Sequence, residues 1–184
     1  MGIPFVALGE LIRLWAGGFQ ERKGKILVTN GPYAFLRNPL YLGNFLIGIG
    51  IVLITRNTFL LLAFVIGFLW IYSKVVRREE EELLKKFGEL YRHYLNAVPR
   101  FFPRLSAYPH RTQMSFQWNR LRKHREYFTL AGIVALLSGM YAWERFVPES
   151  WVQLSWKVTL VVIAMTLLTF LALLEWSLRA SVKD

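Results

Sequence analysis

Two long apolar blocks constrain the fold of this chain more than any other feature of its sequence. Residues 58–76 read TFLLLAFVIGFLWIYSKVV and residues 154–174 read LSWKVTLVVIAMTLLTFLALL, each with a single lysine as its only charged residue. A helix rises about 1.5 Å per residue, so roughly 20 apolar residues cross the hydrocarbon core of a bilayer. Both blocks are therefore predicted to be transmembrane helices.

Two shorter apolar blocks, residues 40–54 and 127–143, lie next to the long ones. Alone, either block is compatible with a buried helix of a soluble protein. Each is joined to its long neighbour by a short polar turn, residues 55–57 and 144–150. This arrangement predicts two transmembrane helical hairpins.

A further apolar stretch, residues 3–19, predicts an N-terminal helix. Whether it spans the membrane is left open, because Glu10 and Arg13 would each be costly at the middle of a bilayer. The predicted fold class is therefore all-α: an integral membrane protein with two transmembrane hairpins and a possible additional N-terminal helix.

The charge distribution predicts how the chain is oriented. The net charge is +11 although 54% of the residues are hydrophobic, which leaves a nucleic-acid-binding domain or a membrane protein with basic loops. Residues 77–126 hold twelve Lys and Arg against six acids, whereas each hairpin turn carries one basic residue. The positive-inside rule then predicts a multi-pass protein with this segment in the cytoplasm. Anionic lipid headgroups are the expected partner, and nucleic acid is not.

Cysteine and histidine usage limits the chemistry. The chain has no cysteine, which excludes disulfides, Cys-ligated zinc and thiol catalysis. Its three histidines show no metal-ligand spacing, so we expect no metal. Pro103, Ser106 and Pro109 interrupt any helix and predict a division into residues 1–105 and 106–184. The second part would hold an amphipathic membrane-surface helix near residues 116–125 and the second hairpin.

Two polar segments flank the first hairpin. The segment before it, residues 30–43, reads NGPYAFLRNPLYLG, and the segment after it, residues 77–103, reads RREEEELLKKFGELYRHYLNAVPRFFP. We call them the entry segment and the exit segment. A hairpin returns its two ends to the same membrane face, so these segments are expected to meet at the cytoplasmic interface.

The entry segment resembles the Arg-His-Pro-x-Tyr-x-Gly motif of the isoprenylcysteine carboxyl methyltransferase family and its phospholipid N-methyltransferase relatives. The exit segment resembles that family's Glu-Glu, Phe-Gly-x-x-Tyr-x-x-Tyr and Val-Pro pattern. The resemblance covers residues from about 9 to 103. It implies an integral membrane enzyme that transfers methyl from S-adenosylmethionine without a Rossmann domain. No glycine-rich strand–loop–helix motif is present, in agreement with this implication.

The resemblance also implies the site residues. The candidate catalytic residues are Arg37, Asn38 and Tyr41. The candidate cofactor-binding residues are Arg37, Pro39, Tyr41, Gly43, Glu79, Glu80, Tyr91 and Tyr94. Gly48 and Gly50 are added because helix backbone at a glycine can approach a bulky ligand closely.

Several of these residues also have purely structural interpretations. Asn38 and Pro39 form a good N-cap and first position for the following helix. Gly48 and Gly50 are equally suited to helix packing, and Tyr94 to the core. Glu81 and Glu82 stand four residues before lysines, as on a solvated helix face.

Position 38 departs from the motif, which has histidine there. Asparagine cannot titrate near neutral pH, so the general-base role of that histidine does not carry over to Asn38, whereas a positioning role remains open. No other residue is a convincing strong base, which favours an acceptor that is already nucleophilic. The predicted function is methyl transfer to a carboxylate or amine of an amphiphilic acceptor, either prenylated or a lipid. Two alternatives are a non-catalytic membrane scaffold of this fold and a sterol-reductase-like enzyme that uses NADPH.

Overall fold

The structure, a computed structural model, describes residues 2–20, 25–123 and 126–146. Over these ranges the chain forms six α-helices, one short 3-10 helix and no strand, which confirms the all-α class. The α-helices are α1 Ile3–Gly17, α2 Pro39–Ile54, α3 Thr58–Phe87, α4 Glu89–Ala97, α5 Trp118–Lys123 and α6 Glu126–Phe146, and the 3-10 helix is Gly31–Ala34. The second arm of the second predicted hairpin, residues 154–174, lies outside the described residues.

The chain divides into two compact units, Met1–Val134 and Ala135–Asp184. Of the second unit, the structure describes residues 135–146, the C-terminal part of α6. The sequence-based division at residue 105 stays a prediction. Residues that follow position 105 are hydrogen-bonded to the entry segment. The backbone N–H of Tyr108 donates to the carbonyl oxygen of Ala34 at 2.9 Å. The N–H of Thr112 also donates to Thr29 Oγ1 at 2.9 Å.

Helices α2 and α3 form the first predicted hairpin. Pro39 is the first residue of α2, where its missing N–H costs no hydrogen bond. Asn57 caps α3, because its side-chain oxygen accepts a hydrogen bond from the backbone N–H of Leu60 at 3.1 Å. The helices pack through aromatic rings, with the centroid of Phe45 5.0 Å from that of Phe68. Helix α3 continues beyond the apolar block and therefore carries the acidic run on the same helix.

Helix α3 is the one described helix that is both long and apolar enough to cross a membrane. Only 17% of its most apolar window is buried inside the protein, whereas the core helix of a soluble protein would be mostly buried. Its exposed large apolar side chains are Phe59, Leu62, Ile66, Leu69 and Trp70. Residues 39–54 and 127–142 form shorter apolar helices. The exposed face of α3 is what a helix surrounded by lipid presents.

Helix α1 packs against α2 through glycines. Gly2 and Gly9 of the N-terminal region face Gly50 and Gly43, so α1 and α2 run antiparallel. A Cβ added at Gly9 would lie 2.6 Å from the carbonyl oxygen of Gly43, and one at Gly50 would lie 2.6 Å from Val6 Cγ2. Small residues at such an interface let the backbones approach closely. Gly43 and Gly50 therefore serve the contact between α1 and α2.

The polar residues of α1 face inward. Glu10 is buried, and Arg13 Nε lies 3.8 Å from Glu10 Oε2. Arg13 also donates a hydrogen bond to Asn44 Oδ1 of α2. The outer face instead carries Ile3 and Leu11, which are 65% and 63% exposed. Apolar residues outside and paired charges inside are typical of helices that contact lipid.

The close glycine contact predicts the effect of two alanine substitutions. Gly9→Ala is expected to lower the free energy of unfolding by about 1–3 kcal/mol, because its Cβ would overlap backbone that cannot move aside. Gly67→Ala is the matched control, since nothing lies within 4 Å of a Cβ at that position in α3. It should be neutral or stabilise by about 0.5–1 kcal/mol through the better helix propensity of alanine. Thermal unfolding in detergent measures both, and equal melting temperatures would contradict the packing.

Gly88 separates α3 from α4. Its φ of +54° lies in the region that favours glycine, and it ends α3 before α4 begins at Glu89. The break lets α4 pack back on the entry segment. Tyr91 and Tyr94 are buried in a cluster that also contains Leu27, Ala34, Val98 and Tyr108.

Candidate functional site

The entry and exit segments meet, as expected from the hairpin. The backbone N–H of Arg37 donates to the carbonyl oxygen of Pro99 at 3.0 Å. Asn38 Nδ2 donates to the carbonyl oxygen of Arg100 at 3.3 Å, and the hydroxyl of Tyr94 donates to the carbonyl oxygen of Tyr33 at 2.7 Å. These contacts fix the beginning of α2 against the chain that follows α4.

Glu80 lies at the centre of this junction, between two arginines. Its side chain is 8% exposed, and its Oε1 lies 3.2 Å from Arg37 Nη1. Arg100 donates to both carboxylate oxygens, from Nε to Oε1 at 3.1 Å and from Nη2 to Oε2. We call these residues the Arg37–Glu80–Arg100 cluster. Two guanidinium groups on one carboxylate leave the cluster with a net charge of about +1.

The ionisable groups around the cluster hold their protons. The hydrogen bonds from Arg100 to Glu80 raise the pKa of Arg100. Burial raises the pKa of Tyr91 to about 12, with a further rise from the Glu80 carboxylate. Burial also raises the pKa of Tyr94. Both phenols therefore remain protonated at neutral pH and do not act as bases, and the Tyr94 hydroxyl is a hydrogen-bond donor.

Glu79 has a different partner from its neighbour. The hydroxyl of Tyr41 donates to Glu79 Oε1 at 2.7 Å. The ring of Tyr41 packs edge-on against Tyr72, with 4.8 Å between centroids. Consecutive helical residues point about 100° apart, so the two glutamates have different partners within the protein. Their joint role at a cofactor stays a prediction.

The remaining candidates occupy structural positions. Asn38 precedes the first residue of α2, but its side chain makes no capping hydrogen bond and binds Arg100 instead. Pro39 is fully buried at the helix start. A Cβ at Gly48 would meet the ring of Phe64, so Gly48 serves the contact between α2 and α3, while Gly43 and Gly50 serve that with α1. Glu81 and Glu82 are exposed.

Sequence reasoning did not select Arg100 as a site residue. It stands in the Val-Pro-Arg stretch that was used only as part of the family pattern. Its pairing with Glu80 depends on α4 turning back, which no local pattern specifies. The buried contact of Arg13 with Asn44 was also missed. The sequence feature that could have indicated this contact is the pair of charged residues, Glu10 and Arg13, in an otherwise apolar helix.

Comparisons with known proteins point to one family. The family model described as phospholipid methyltransferase matches residues 5–90. A cobalt-zinc-cadmium resistance protein of Cupriavidus metallidurans is 36% identical over 109 residues, which are 59% of this chain and 50% of that protein. Protein-S-isoprenylcysteine O-methyltransferases are 32% identical over 112 residues in Schizosaccharomyces pombe and over 114 in Xenopus laevis. Those matches cover 55% and 56% of this chain, and 48% and 40% of the relatives.

The chain thus spans about half the length of the relatives that it matches. No solved structure matches it significantly. The matched residues 5–90 include the α2–α3 hairpin and both glutamates at its open end. This chain is therefore similar to phospholipid methyltransferases and isoprenylcysteine methyltransferases, which confirms the resemblance found in the motifs.

Proposed function

We propose that this chain is an integral membrane methyltransferase that uses S-adenosylmethionine and acts on an amphiphilic acceptor. The observation that carries the proposal is the Arg37–Glu80–Arg100 cluster beside the Tyr41–Glu79 hydrogen bond, at the open end of the α2–α3 hairpin. The family match supports a methyl group as the transferred unit.

The charges of the site fit the proposed cofactor. Arg37 Nε is buried and has no hydrogen-bond acceptor among the described residues, and the cluster around it is cationic. This arrangement suits the cofactor's carboxylate, which arginine binds well. Within the part of the chain that the structure describes, only Tyr41 hydrogen-bonds Glu79, which leaves one carboxylate oxygen for the cofactor's cationic end. The two glutamates would thus have different tasks.

S-adenosylmethionine, when bound, supplies a methyl group on a positively charged sulfur for in-line displacement by the acceptor. Such a step needs alignment and exclusion of water more than proton transfer. Burial of Arg37 and Glu80 provides a water-poor environment, and Asn38 helps to position Arg100 through its carbonyl. The protonated tyrosines offer no base. A carboxylate acceptor fits this site because it is already nucleophilic, and an amine acceptor would react in its unprotonated form.

The acceptor class follows from the relatives and from the position of the site. One matched group is named for methylation of isoprenylcysteine, and the family model for methylation of phospholipids. A prenylated carboxylate or a lipid amine headgroup would reach this site from the bilayer. We further propose a multi-pass topology with two hairpins and the site in the cytoplasm, supported by the basic excess of residues 77–126.

Transfer of a labelled methyl group tests the proposal. Full-length protein in lipid nanodiscs is supplied with methyl-labelled S-adenosylmethionine and either a total lipid extract or a prenylcysteine analogue. Label is expected in the organic phase with one of these acceptors. Binding of the cofactor without transfer to either acceptor would favour the scaffold alternative. NADPH oxidation in a sterol-containing sample, without methyl transfer, would favour the reductase alternative.

A further inference from the structure

The loop formed by residues 101–106 exposes two large apolar side chains. Phe102 is 84% exposed and Leu105 is 104% exposed, whereas Val98, just before the loop, is buried. Two large apolar side chains exposed within four residues of each other are typical of a contact surface. We call residues 101–106 the apolar loop.

The apolar loop is held in place at both ends. On one side the carbonyl oxygens of Pro99 and Arg100 accept hydrogen bonds from Arg37 and Asn38. On the other side the backbone N–H of Arg104 donates to the carbonyl oxygen of Phe35 at 3.0 Å. The guanidinium of Arg104 donates to the Ala97 carbonyl oxygen at 2.8 Å and to Ser106 Oγ at 2.9 Å. Phe102 and Leu105 are therefore presented outward by a fixed backbone.

The level of the loop along α3 can be read from Glu80, which binds Arg100. Glu80 stands four residues after Val76, the end of the apolar block, which corresponds to about 6 Å along the helix axis. The headgroup layer of a bilayer is about 5–7 Å thick on each side of the hydrocarbon core. The loop thus lies at the level of the lipid headgroups.

Other residues mark the same boundary. Trp70 is 63% exposed on α3, and Lys74 Nζ lies 3.8 Å from the centroid of its ring. Lys74 stands two residues before Val76, where a lysine extends its amine toward the headgroups. One turn further along α3, Arg77 and Arg78 are exposed. Their charges suit anionic headgroups.

We propose that the apolar loop inserts Phe102 and Leu105 into the lipid leaflet at which α2 begins, with anionic lipids as its partner. The inference rests on the proposed membrane function. It follows that Arg100, two residues before Phe102, lies where lipid meets the cationic cluster. An amphiphilic acceptor would then reach the site without leaving the leaflet.

Site-specific fluorescence tests the insertion. The chain has no cysteine, so Leu105→Cys gives a single attachment point for a nitrobenzoxadiazole fluorophore. Lys86→Cys is the matched control, because Lys86 is exposed and stands ten residues after Val76, about 15 Å along the helix. Full-length labelled proteins are reconstituted into phosphatidylcholine vesicles with a quarter phosphatidylglycerol. Half of the samples carry doxyl-labelled lipid, and the others are titrated with iodide.

Doxyl lipid is expected to quench the fluorophore at position 105 about threefold more than the one at position 86, with iodide showing the reverse order. Quenching by iodide alone at position 105 would overturn the insertion. Protection from both quenchers would also overturn it, because the loop would then be covered by protein. Methyl transfer by the unlabelled Leu105→Cys variant separates these outcomes from failure of the proposed function.

Discussion

Replacement of Glu80 by glutamine is expected to lower the free energy of unfolding by about 3–5 kcal/mol and to remove detectable binding of S-adenosylmethionine. Loss of the buried carboxylate leaves Arg37, which is 10% exposed, as an uncompensated charge. Arg100 keeps at most one of its two hydrogen bonds, to the glutamine oxygen, and loses its charged partner. Denaturant unfolding followed by tryptophan fluorescence measures the stability, and calorimetry measures the affinity.

Glu81→Gln provides the control, since Glu81 is exposed on the same helix and should change neither quantity measurably. If Glu80→Gln fails to fold, Arg100→Gln keeps the pair between Arg37 and Glu80. That variant should fold and bind the cofactor at least about tenfold more weakly, since one charged hydrogen bond contributes about 1.5–3 kcal/mol. Unchanged affinity in Arg100→Gln would contradict a role of the cluster in cofactor binding.

Single-cysteine labelling is expected to give an all-or-none result for the topology. Thr58 is the first residue of α3, exposed and next to the hairpin turn, so Thr58→Cys leaves the Asn57 cap in place. This cysteine should react with an impermeant maleimide added outside intact cells. Lys86→Cys, at the other end of α3, should react only after permeabilisation. The reason is the length of the apolar block between them, which is sufficient to cross a bilayer.

Labelling of Lys86→Cys from outside would place the glutamates away from the cytoplasmic supply of cofactor and would contradict the proposed orientation. Reaction of both cysteines from outside would contradict the transmembrane assignment of α3. Cysteine-free protein, which is the native sequence, serves as the background control.

The hairpin could be predicted from the sequence because its signals are local. Apolar blocks, Pro39 and Asn57 mark where α2 and α3 begin, and the structure begins both helices there. The full length of α3 was not predicted. The apolar block ends at Val76, whereas the helix continues through charged residues to Phe87. Gly88 then ends it through a positive φ that hydropathy does not detect.

The partners within the site could be predicted only in part. The meeting of the entry and exit segments follows from the topology of any hairpin. Glu80 contacts the two arginines and Glu79 contacts Tyr41. Which glutamate faces which partner depends on how α3 is rotated about its axis, and sequence spacing does not specify that rotation. Likewise, the sequence shows glycines in α2 but does not show whether they face a ligand or another helix. In the structure, Gly43 and Gly50 face α1.

The glycine contacts between α1 and α2 also determine which helices can separate when a bulky molecule enters sideways. Backbone-to-backbone packing has no side chains that can rotate out of the way, so we expect α1 and α2 to move as a rigid pair. The contact between α2 and α3 rests instead on the rings of Phe45, Phe64 and Phe68. Rings can turn and repack, so we expect a bulky molecule to separate α2 from α3 more easily than α1 from α2.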